Sequence, residues 1–257
     1  MVKPRQRSMS LALPLGSNGA RSALLGDTRL VNAFVEPSAG RGQAKATYGV
    51  YGVSGLERFA VTSDAPCRGL IEADGALYSI NGSRGYKITS AGVVTDIGAI
   101  AGVDRVSMAR NAAVPFQIAM VAAAGVYKIE SDAISYVFLP ALESAVVDVA
   151  WVDGYFVFGL ANGQFFVSGL NEITVDALDF AIAEGLPDGL VAVKVFRREV
   201  YLFGTQTTEV WTNTGDADFP FARLPGAVLP VGCTARDCVA VLDDAIMWVD
   251  EDRKSVV

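Results

Sequence analysis

Short apolar segments separated by turn residues recur along most of the chain. From about residue 47 onward, apolar stretches alternate with Gly, Asn and Asp, a pattern typical of β-strands joined by tight turns. Residues 1–46 are instead punctuated by Pro and Gly, and only residues 30–35 resemble a strand there. We therefore predict an irregular N-terminal arm with a lead-in strand over residues 1–46 and a strand-rich domain over residues 47–257.

The strand-rich region contains a repeat. Four similar passages and the start of a fifth each hold several predicted strands, and their first turns lie at Gly75, Ala113, Gly154, Arg198 and Asp244. The intervals of 38, 41, 44 and 46 residues between these positions are typical of propeller blades. The repeat predicts an all-β, β-propeller-like fold with about four and a half blades visible, the last one incomplete. A β-sandwich or another repetitive antiparallel fold is the alternative.

Turn and strand chemistry favour this fold class. Asp74-Gly75, Asp153-Gly154 and Asn162-Gly163 are pairs that tolerate positive φ and so predict hairpin turns. The strands that follow the first turns, residues 76–80, 155–160, 200–204 and 245–249, are almost entirely apolar. Such strands are expected to be buried on both faces, as where blades stack. We interpret residues 141–147 and 178–183 as short helical or loop excursions between blades.

Composition excludes many enzyme classes. The 257 residues include no histidine, which removes Ser-His-Asp and Cys-His catalysis and His-ligated zinc. The three cysteines, Cys67, Cys233 and Cys238, do not form two close pairs, so no zinc ribbon is expected. We interpret them as small reduced core residues. Chemistry based on carboxylates or on Mg²⁺ and Ca²⁺ stays open, as do binding and structural roles.

Charge is distributed unevenly along the chain. The net charge is −7, yet residues 1–22 carry Lys3, Arg5, Arg7 and Arg21 and no acid. The rest of the chain therefore holds 17 basic and 28 acidic residues. A basic arm on an acidic body is a candidate partner-binding segment, and a solvated tail is the alternative reading.

No targeting or membrane segment is predicted. The apolar residues 9–15 are interrupted by Ser10 and Pro14, which argues against a signal peptide. The uncharged residues 111–127 are too short for a good membrane span and contain Pro115 and Gln117. Two buried strands joined by a turn explain residues 111–127 better.

Candidate reactive side chains have structural interpretations. The paired acids are Asp216 with Asp218, Asp243 with Asp244, and residues 250–252. All lie in predicted turns, where Asp hydrogen-bonds the local backbone, so this interpretation is favoured over glycoside hydrolysis or metal binding. The tryptophans Trp151, Trp211 and Trp248 are assigned to core packing rather than to a sugar site. We predict no catalytic residue, no cofactor and no metal site.

Several motifs occur in an order and spacing similar to one protein family. The first are Val31-Asn32 and Ser54-Gly55-Leu56, followed by residues 69–71, 76–80 and 105–109. The most similar stretch is residues 186–248, marked by Pro187-Asp188-Gly189, Thr208-Glu209-Val210-Trp211, Phe219-Pro220-Phe221 and Gly232-Cys233. Over residues 29–253 the chain resembles the tail-hub, or packaged-DNA stabilisation, proteins of short-tailed phages. Members are usually longer, so the chain is expected to be C-terminally truncated or a shorter variant, and the basic arm has no counterpart.

The resemblance implies a structural virion protein and not an enzyme. Such proteins form a homo-oligomeric ring, sixfold in relatives, below the portal and its adaptor ring, where they receive the tail needle or plug. The implied function is to close the portal channel after packaging, stabilise the packaged DNA and conduct it at ejection without sequence-specific binding. The implied location is the virion tail, and the host cytoplasm during assembly. The alternatives are a lectin-like carbohydrate- or protein-binding propeller and, less favoured, a carboxylate-dependent glycosidase.

Overall fold

The computed structural model describes residues 30–37, 48–123, 125–139, 146–183 and 188–250, together with the backbone of residues 255–256. The chain divides into two compact units, Met1–Arg58 and Phe59–Val257. Regular structure in the described residues consists of β-strands, apart from a short 3-10 helix at Arg236–Cys238. Across those same ranges, no helix is long and apolar enough to cross a membrane.

In the part of the first unit that the structure describes, two strands pair in antiparallel orientation. Strand β1 (Ala33–Pro37) pairs with β2 (Tyr48–Gly52), so that Phe34 lies opposite Tyr51. The two rings stack with their centroids 5.6 Å apart, as expected for an aromatic cross-strand pair. The hairpin confirms the strand expected near residues 30–35.

The described residues of the second unit form five antiparallel sheets, each built from consecutive strands. Sheet 1 comprises β3 (Cys67–Ala73), β4 (Ala76–Asn81), β5 (Arg84–Ile88) and β6 (Val94–Ala99). Sheet 2 comprises β7 (Ser107–Arg110), β8 (Gln117–Ala122), β9 (Gly125–Glu130) and β10 (Ala133–Val137). Sheet 3 comprises β11 (Val146–Val152), β12 (Tyr155–Leu160), β13 (Gln164–Val167) and β14 (Phe180–Ile182). Sheet 4 comprises β15 (Leu190–Phe196), β16 (Glu199–Gly204), β17 (Thr208–Asn213) and β18 (Phe221–Leu229), and sheet 5 comprises β19 (Val239–Val241), β20 (Ile246–Val249) and β21 (Ser255–Val256).

The first turns of sheets 1 and 3 have the geometry that their sequences predict. Asp74 and Gly75 have φ of 52° and 72°, and Asp153 and Gly154 have φ of 50° and 96°. Two consecutive residues with positive φ match the twist of the flanking strands in a two-residue hairpin. The turn at Asn162-Gly163 differs, because there only Gly163, at φ 90°, has positive φ.

Hydrophobic cores lie between neighbouring sheets rather than on one side of each. In β8, Ile118 and Met120 pack towards sheet 1, whereas Ala119 and Val121 pack towards sheet 3. In β16, Leu202 faces the core shared with sheet 3, and Phe203 faces the core shared with sheet 5. Side chains of successive strand residues point to opposite faces, so both faces of these central strands are buried. The prediction of strands buried on both faces is confirmed for β4, β12 and β16. It is wrong for β20, where Ile246 and Trp248 are buried and the alternate residues are only half-buried, because the described residues place a neighbouring sheet on one face of sheet 5 only.

Two further expectations are wrong in detail. Residues 178–183 contain β14, the fourth strand of sheet 3, instead of a helical or loop excursion. This edge strand is only three residues long and is not fully buried, so no long apolar run marks it as a strand in the sequence. Cys67 is exposed rather than part of a core, whereas Cys233 is buried and Cys238 partly buried. Cys67 is the first residue of β3, next to an irregularity in its pairing with β4.

Candidate functional site

The first strands of sheets 2, 3 and 4 line a common cleft of about 450 Å³. We call it the axial cleft, because the first strands of stacked propeller sheets face a shared axis. Its polar lining comes from Ser107 and Arg110 on β7, Asp148 on β11, Lys194 on β15, and Arg236 and Asp237 in the 3-10 helix. Asp148 and Lys194 each interrupt an otherwise apolar first strand.

Asp148 lies at the centre of this cluster and is fully buried. Its Oδ1 accepts hydrogen bonds from the Ser107 hydroxyl and, at 3.0 Å, from the backbone N–H of Val149. Its Oδ2 accepts the backbone N–H of Val193 at 2.9 Å and the Lys194 ammonium at 2.6 Å. One carboxylate thus joins the first strands of three neighbouring sheets.

The chemistry of this cluster is structural. A buried carboxylate is tolerated only when a cation and hydrogen-bond donors compensate the loss of water. Four donors occupy the two Asp148 oxygens, which leaves no free lone pair directed at a substrate. The arrangement suits a residue that fixes the spacing of sheets, and it does not suit a general base.

Sheets 1 and 2 are joined near their outer turns by a second carboxylate. Asp132 accepts the Tyr78 hydroxyl at 2.7 Å and the Lys87 ammonium at 2.7 Å. Burial, and then the hydrogen bond to Asp132, raise the pKa of Tyr78 to about 12. The hydrogen bond from Lys87, followed by that from Tyr78, lowers the pKa of Asp132. Asp132 is therefore held in its charged form as an acceptor for sheet 1.

Sheets 3 and 4 share a similar contact at the same end. Asp153, in the first turn of sheet 3, accepts a hydrogen bond from Arg198 Nε at 2.9 Å and from Asn213 Nδ2 at 3.3 Å. Arg197, in the first turn of sheet 4, donates to the backbone carbonyl of Asp244 in sheet 5 at 3.2 Å. First and third turns of a four-stranded meander lie at one end of the sheet, so these contacts align that end across neighbouring sheets.

This turn end is strongly acidic. The described first and third turns carry ten acidic residues and two basic ones. The acids are Asp74, Asp132, Asp153, Glu172, Asp176, Asp179, Asp216, Asp218, Asp243 and Asp244, and the basic residues are Arg197 and Arg198. At the opposite end, the described turns and connections of the second unit hold five acidic residues, Asp64, Asp104, Asp188, Asp237 and Asp250, and two basic ones, Arg105 and Arg236. The acidity of the molecule is therefore concentrated at one end of the sheets.

The residues singled out from sequence fall into two groups. The basic residues Lys3, Arg5, Arg7 and Arg21 lie outside the described residues. Of the acid pairs, Asp216 accepts the backbone N–H of Asp218 at 3.0 Å, a local turn contact, and residues 251–252 are also outside the described ranges. No group of three or more acidic or cysteine side chains in the described ranges is placed to hold a metal ion.

The tryptophans pack into the cores. The indole N–H of Trp211 donates to Glu209 at 3.0 Å, and that of Trp248 donates to the carbonyl of Gly232 at 2.9 Å. Trp151 packs beside the core between sheets 2 and 3, and its indole nitrogen is buried without a hydrogen-bond partner. None of the three forms an open aromatic platform of the kind a sugar site needs.

The family follows from a match over nearly the whole chain. The family model described as "Bacteriophage P22 Gp10, beta-propeller" matches residues 11–257. The chain belongs to this family. The resemblance to packaged-DNA stabilisation proteins is therefore confirmed, and so is the β-propeller fold class. As a member of the P22 Gp10 family, the chain is a virion-associated phage β-propeller protein.

Two solved structures share the fold at low identity. Streptogramin B lyase is 12% identical with a TM-score of 0.51, and the match covers 88% of this chain and 75% of the lyase. The computationally designed Ika8 protein is 14% identical with a TM-score of 0.50, covering 89% of this chain and 68% of Ika8. BamB from Moraxella catarrhalis is 14% identical with a TM-score of 0.45, covering 57% of this chain. This chain spans 44% of BamB, less than half its length. No curated protein matches the chain.

Sequence reasoning missed the contacts among Ser107, Asp148 and Lys194, which we call the axial cluster of this P22 Gp10 family member. Asp148 is the one acid within β11, and Lys194 is the one cation within β15. A single charged residue inside a buried apolar strand is a signal for a paired structural charge. The signal was available in the sequence, but the partners became evident only from the stacking of the sheets.

Proposed function

We propose that this chain is a structural component of the phage tail hub. It closes the portal channel after packaging, stabilises the packaged DNA and conducts it during ejection. The observation that carries the proposal is the family match over residues 11–257. The axial cluster supports a structural rather than a catalytic role, because the buried carboxylate of Asp148 is fully occupied by contacts between sheets.

Rigidity is the mechanical property that such a component needs. A protein that retains pressurised DNA must transmit force without rearranging its sheets. Asp148 joins sheets 2, 3 and 4, Asp132 joins sheets 1 and 2, and Asp153 joins sheets 3 and 4. These polar contacts supplement the four hydrophobic cores between the sheets and support a role as a stiff spacer.

The charge distribution favours conduction over gripping of DNA. Proteins bind duplex DNA tightly by neutralising phosphates with Lys and Arg. The chain has a net charge of −7, and the acidic turn end would repel phosphates. We therefore expect weak binding of duplex DNA to the isolated protein. Fluorescence anisotropy with a labelled duplex tests this, and strong binding that weakens steeply with salt would contradict a sliding channel.

We further propose that copies of the chain form a ring, sixfold as in the relatives. The ring would bind the portal adaptor on one side and the tail needle or plug on the other, after assembly in the host cytoplasm. The basic residues Lys3, Arg5, Arg7 and Arg21 are the proposed docking segment. A variant lacking residues 1–22 should bind the ring or adaptor more weakly, and unchanged assembly would remove the arm from the proposal.

Imaging of the purified full chain tests the proposal. Negative-stain microscopy and mass photometry are performed on the chain alone and with the portal–adaptor assembly of the same phage. Rings, alone or bound to the adaptor, are the expected result. Monomers that do not bind the adaptor would contradict the proposal. Glycan binding by such monomers would favour a lectin-like module instead.

A further inference from the structure

The segment between sheets 4 and 5 is anchored on both of them. We call residues 231–238 the strap. The Cys233 N–H donates to the carbonyl of Gly204 in sheet 4 at 2.9 Å, and the Thr234 N–H donates to the carbonyl of Val249 in sheet 5 at 3.1 Å. The strap also lies close to sheet 4, because a Cβ added to Gly232 would come 2.2 Å from the Thr205 carbonyl oxygen.

One side chain of the strap reaches two more sheets. Arg236 Nη1 donates to the carbonyl of Val147 at 3.1 Å, and Nη2 donates to the carbonyl of Arg105 at 2.8 Å. Val147 lies on β11 of sheet 3, at an irregularity in its pairing with β12. Arg105 lies in the connection that leads into β7 of sheet 2. The strap therefore touches four of the five sheets.

Arg236 also lines two cavities. It lines the axial cleft and a second cleft of about 410 Å³ whose other walls include Arg105, Val121 and Leu190. The Arg236 side chain is only 20% exposed. The mostly buried side chain is thus shared by the walls of both clefts, and its guanidinium donates to the carbonyls of Val147 and Arg105.

Sheet 5 has few other attachments to the rest of the unit. Its core with sheet 4 is the smallest of the four cores, built around Trp248 packed edge-on against Phe203 at 5.2 Å. Its first strand, β19, is three residues long, and Val241 at the end of that strand is 46% exposed. Sheet 4 holds sheet 5 through the Trp248 contact, the packing of Val239 in the same core and the hydrogen bond from Arg197 to the Asp244 carbonyl. Arg236 adds the contacts with sheets 2 and 3.

We propose that Arg236 is a clasp that holds sheet 5 closed against the axial side of sheets 2 and 3. Without the clasp, the strap and sheet 5 open as a local unit that pivots on the Trp248–Phe203 contact, while sheets 1 to 4 stay folded. Local units of low stability open independently of global unfolding when few contacts restrain them. Opening also withdraws Arg236 from the lining of both clefts.

The chain carries its own reporters for this motion. Cys233 and Cys238 lie in the strap, and Cys67 lies on the exposed start of sheet 1. Burial raises the pKa of the Cys233 thiol, so it reacts with an alkylating reagent chiefly when the strap opens. Cys67 reacts without any opening and serves as the internal reference.

The test is native-state labelling of the full chain with N-ethylmaleimide, resolved by site with peptide mass spectrometry. In Arg236→Ala we expect the Cys233 rate to rise by about tenfold or more, since two hydrogen bonds from a charged donor are lost, with the Cys67 rate unchanged. Arg236→Lys should give an intermediate rate, because one ammonium can replace one of the two contacts. Arg84→Ala, which removes an exposed ion pair with Asp96, is the matched control and should behave as the parent protein.

Hydrogen exchange of the β12 amides distinguishes local opening of the strap and sheet 5 from a loss of global stability in Arg236→Ala. Protection of β12 amides in the core of sheet 3 should be unchanged in Arg236→Ala if only the strap and sheet 5 open. An unchanged Cys233 rate would overturn the proposal. A faster rate accompanied by an equal loss of β12 protection would also overturn it. If Arg236→Ala does not fold, a Cys233 rate in Arg236→Lys equal to that of the parent protein would be the overturning result.

Discussion

Replacing Asp148 by alanine removes the acceptor that joins the first strands of sheets 2, 3 and 4. The Lys194 ammonium, whose side chain is 26% exposed, loses its counter-ion, and the Val193 N–H and the Ser107 hydroxyl lose their acceptor. Removing one partner of a buried ion pair typically costs about 3–5 kcal/mol, because the other charge stays buried without compensation. We expect the free energy of unfolding to fall by that amount in Asp148→Ala.

Urea denaturation at pH 7 measures this loss. With a denaturant slope of about 3 kcal/mol per molar urea, the midpoint should fall by roughly 1 M or more. Asp96→Ala is the control, because its ion pair with Arg84 is exposed on both sides and should be worth less than about 1 kcal/mol. In Asp148→Ala/Lys194→Met the loss should be smaller than the sum of the two single losses, since the double variant leaves no unpaired charge. A decrease in unfolding free energy below about 1 kcal/mol in Asp148→Ala, or strictly additive decreases in the double variant, would refute the interpretation that the axial cluster stabilises the contacts between sheets.

Other predictions follow from single residues. The folded-state pKa of Tyr78 is raised to about 12 from an ordinary value of 10.0, so the stabilisation by the Tyr78 hydroxyl is complete below pH 10 and is lost as the pH rises through 12. In unfolding experiments at increasing alkaline pH, Tyr78→Phe should flatten this decline in stability. An identical decline in the variant would contradict the assignment. Gly232→Ala should cost about 1–3 kcal/mol through overpacking against the Thr205 carbonyl, whereas Gly55→Ala, with open space around its Cβ position, should be nearly neutral in thermal unfolding. Hydrogen bonds from Lys87 and Tyr78 lower the pKa of Asp132. The contribution of Asp132 to stability is therefore present above its ordinary pKa of 3.8 and disappears as the pH falls through the folded-state value. Asp132→Asn should lose stability less steeply than the parent protein on acidification.

The repeat of turns and apolar strands was sufficient to predict the five sheets. Hairpin pairs such as Asp153-Gly154 determine local backbone geometry, and the fully apolar strand that follows requires burial on both faces. Both signals are local, so they can be read without knowing the neighbours. The edge strand Phe180–Ile182 was missed because it is short and partly exposed, and its pairing with β13 depends on tertiary context.

The contacts of the axial cluster could not be predicted from local sequence patterns. Asp148 and Lys194 are 46 residues apart and belong to different sheets, so no spacing rule within one element connects them. Arg236 is 131 residues from its acceptor Arg105. Their contacts arise from the stacking of sheets, and a single sequence contains no information on which first strands become neighbours until that stacking is known.

DNA retention in phage particles tests the proposed tail-hub function most directly. DNA-filled heads are prepared from the phage that encodes this chain, with the gene intact or disrupted, and the fraction of DNA accessible to nuclease is measured. Heads without the protein should release their DNA and become nuclease-sensitive, and adding back the purified full chain before release should restore protection. Equal retention of DNA in both preparations would contradict a function in closing the portal channel.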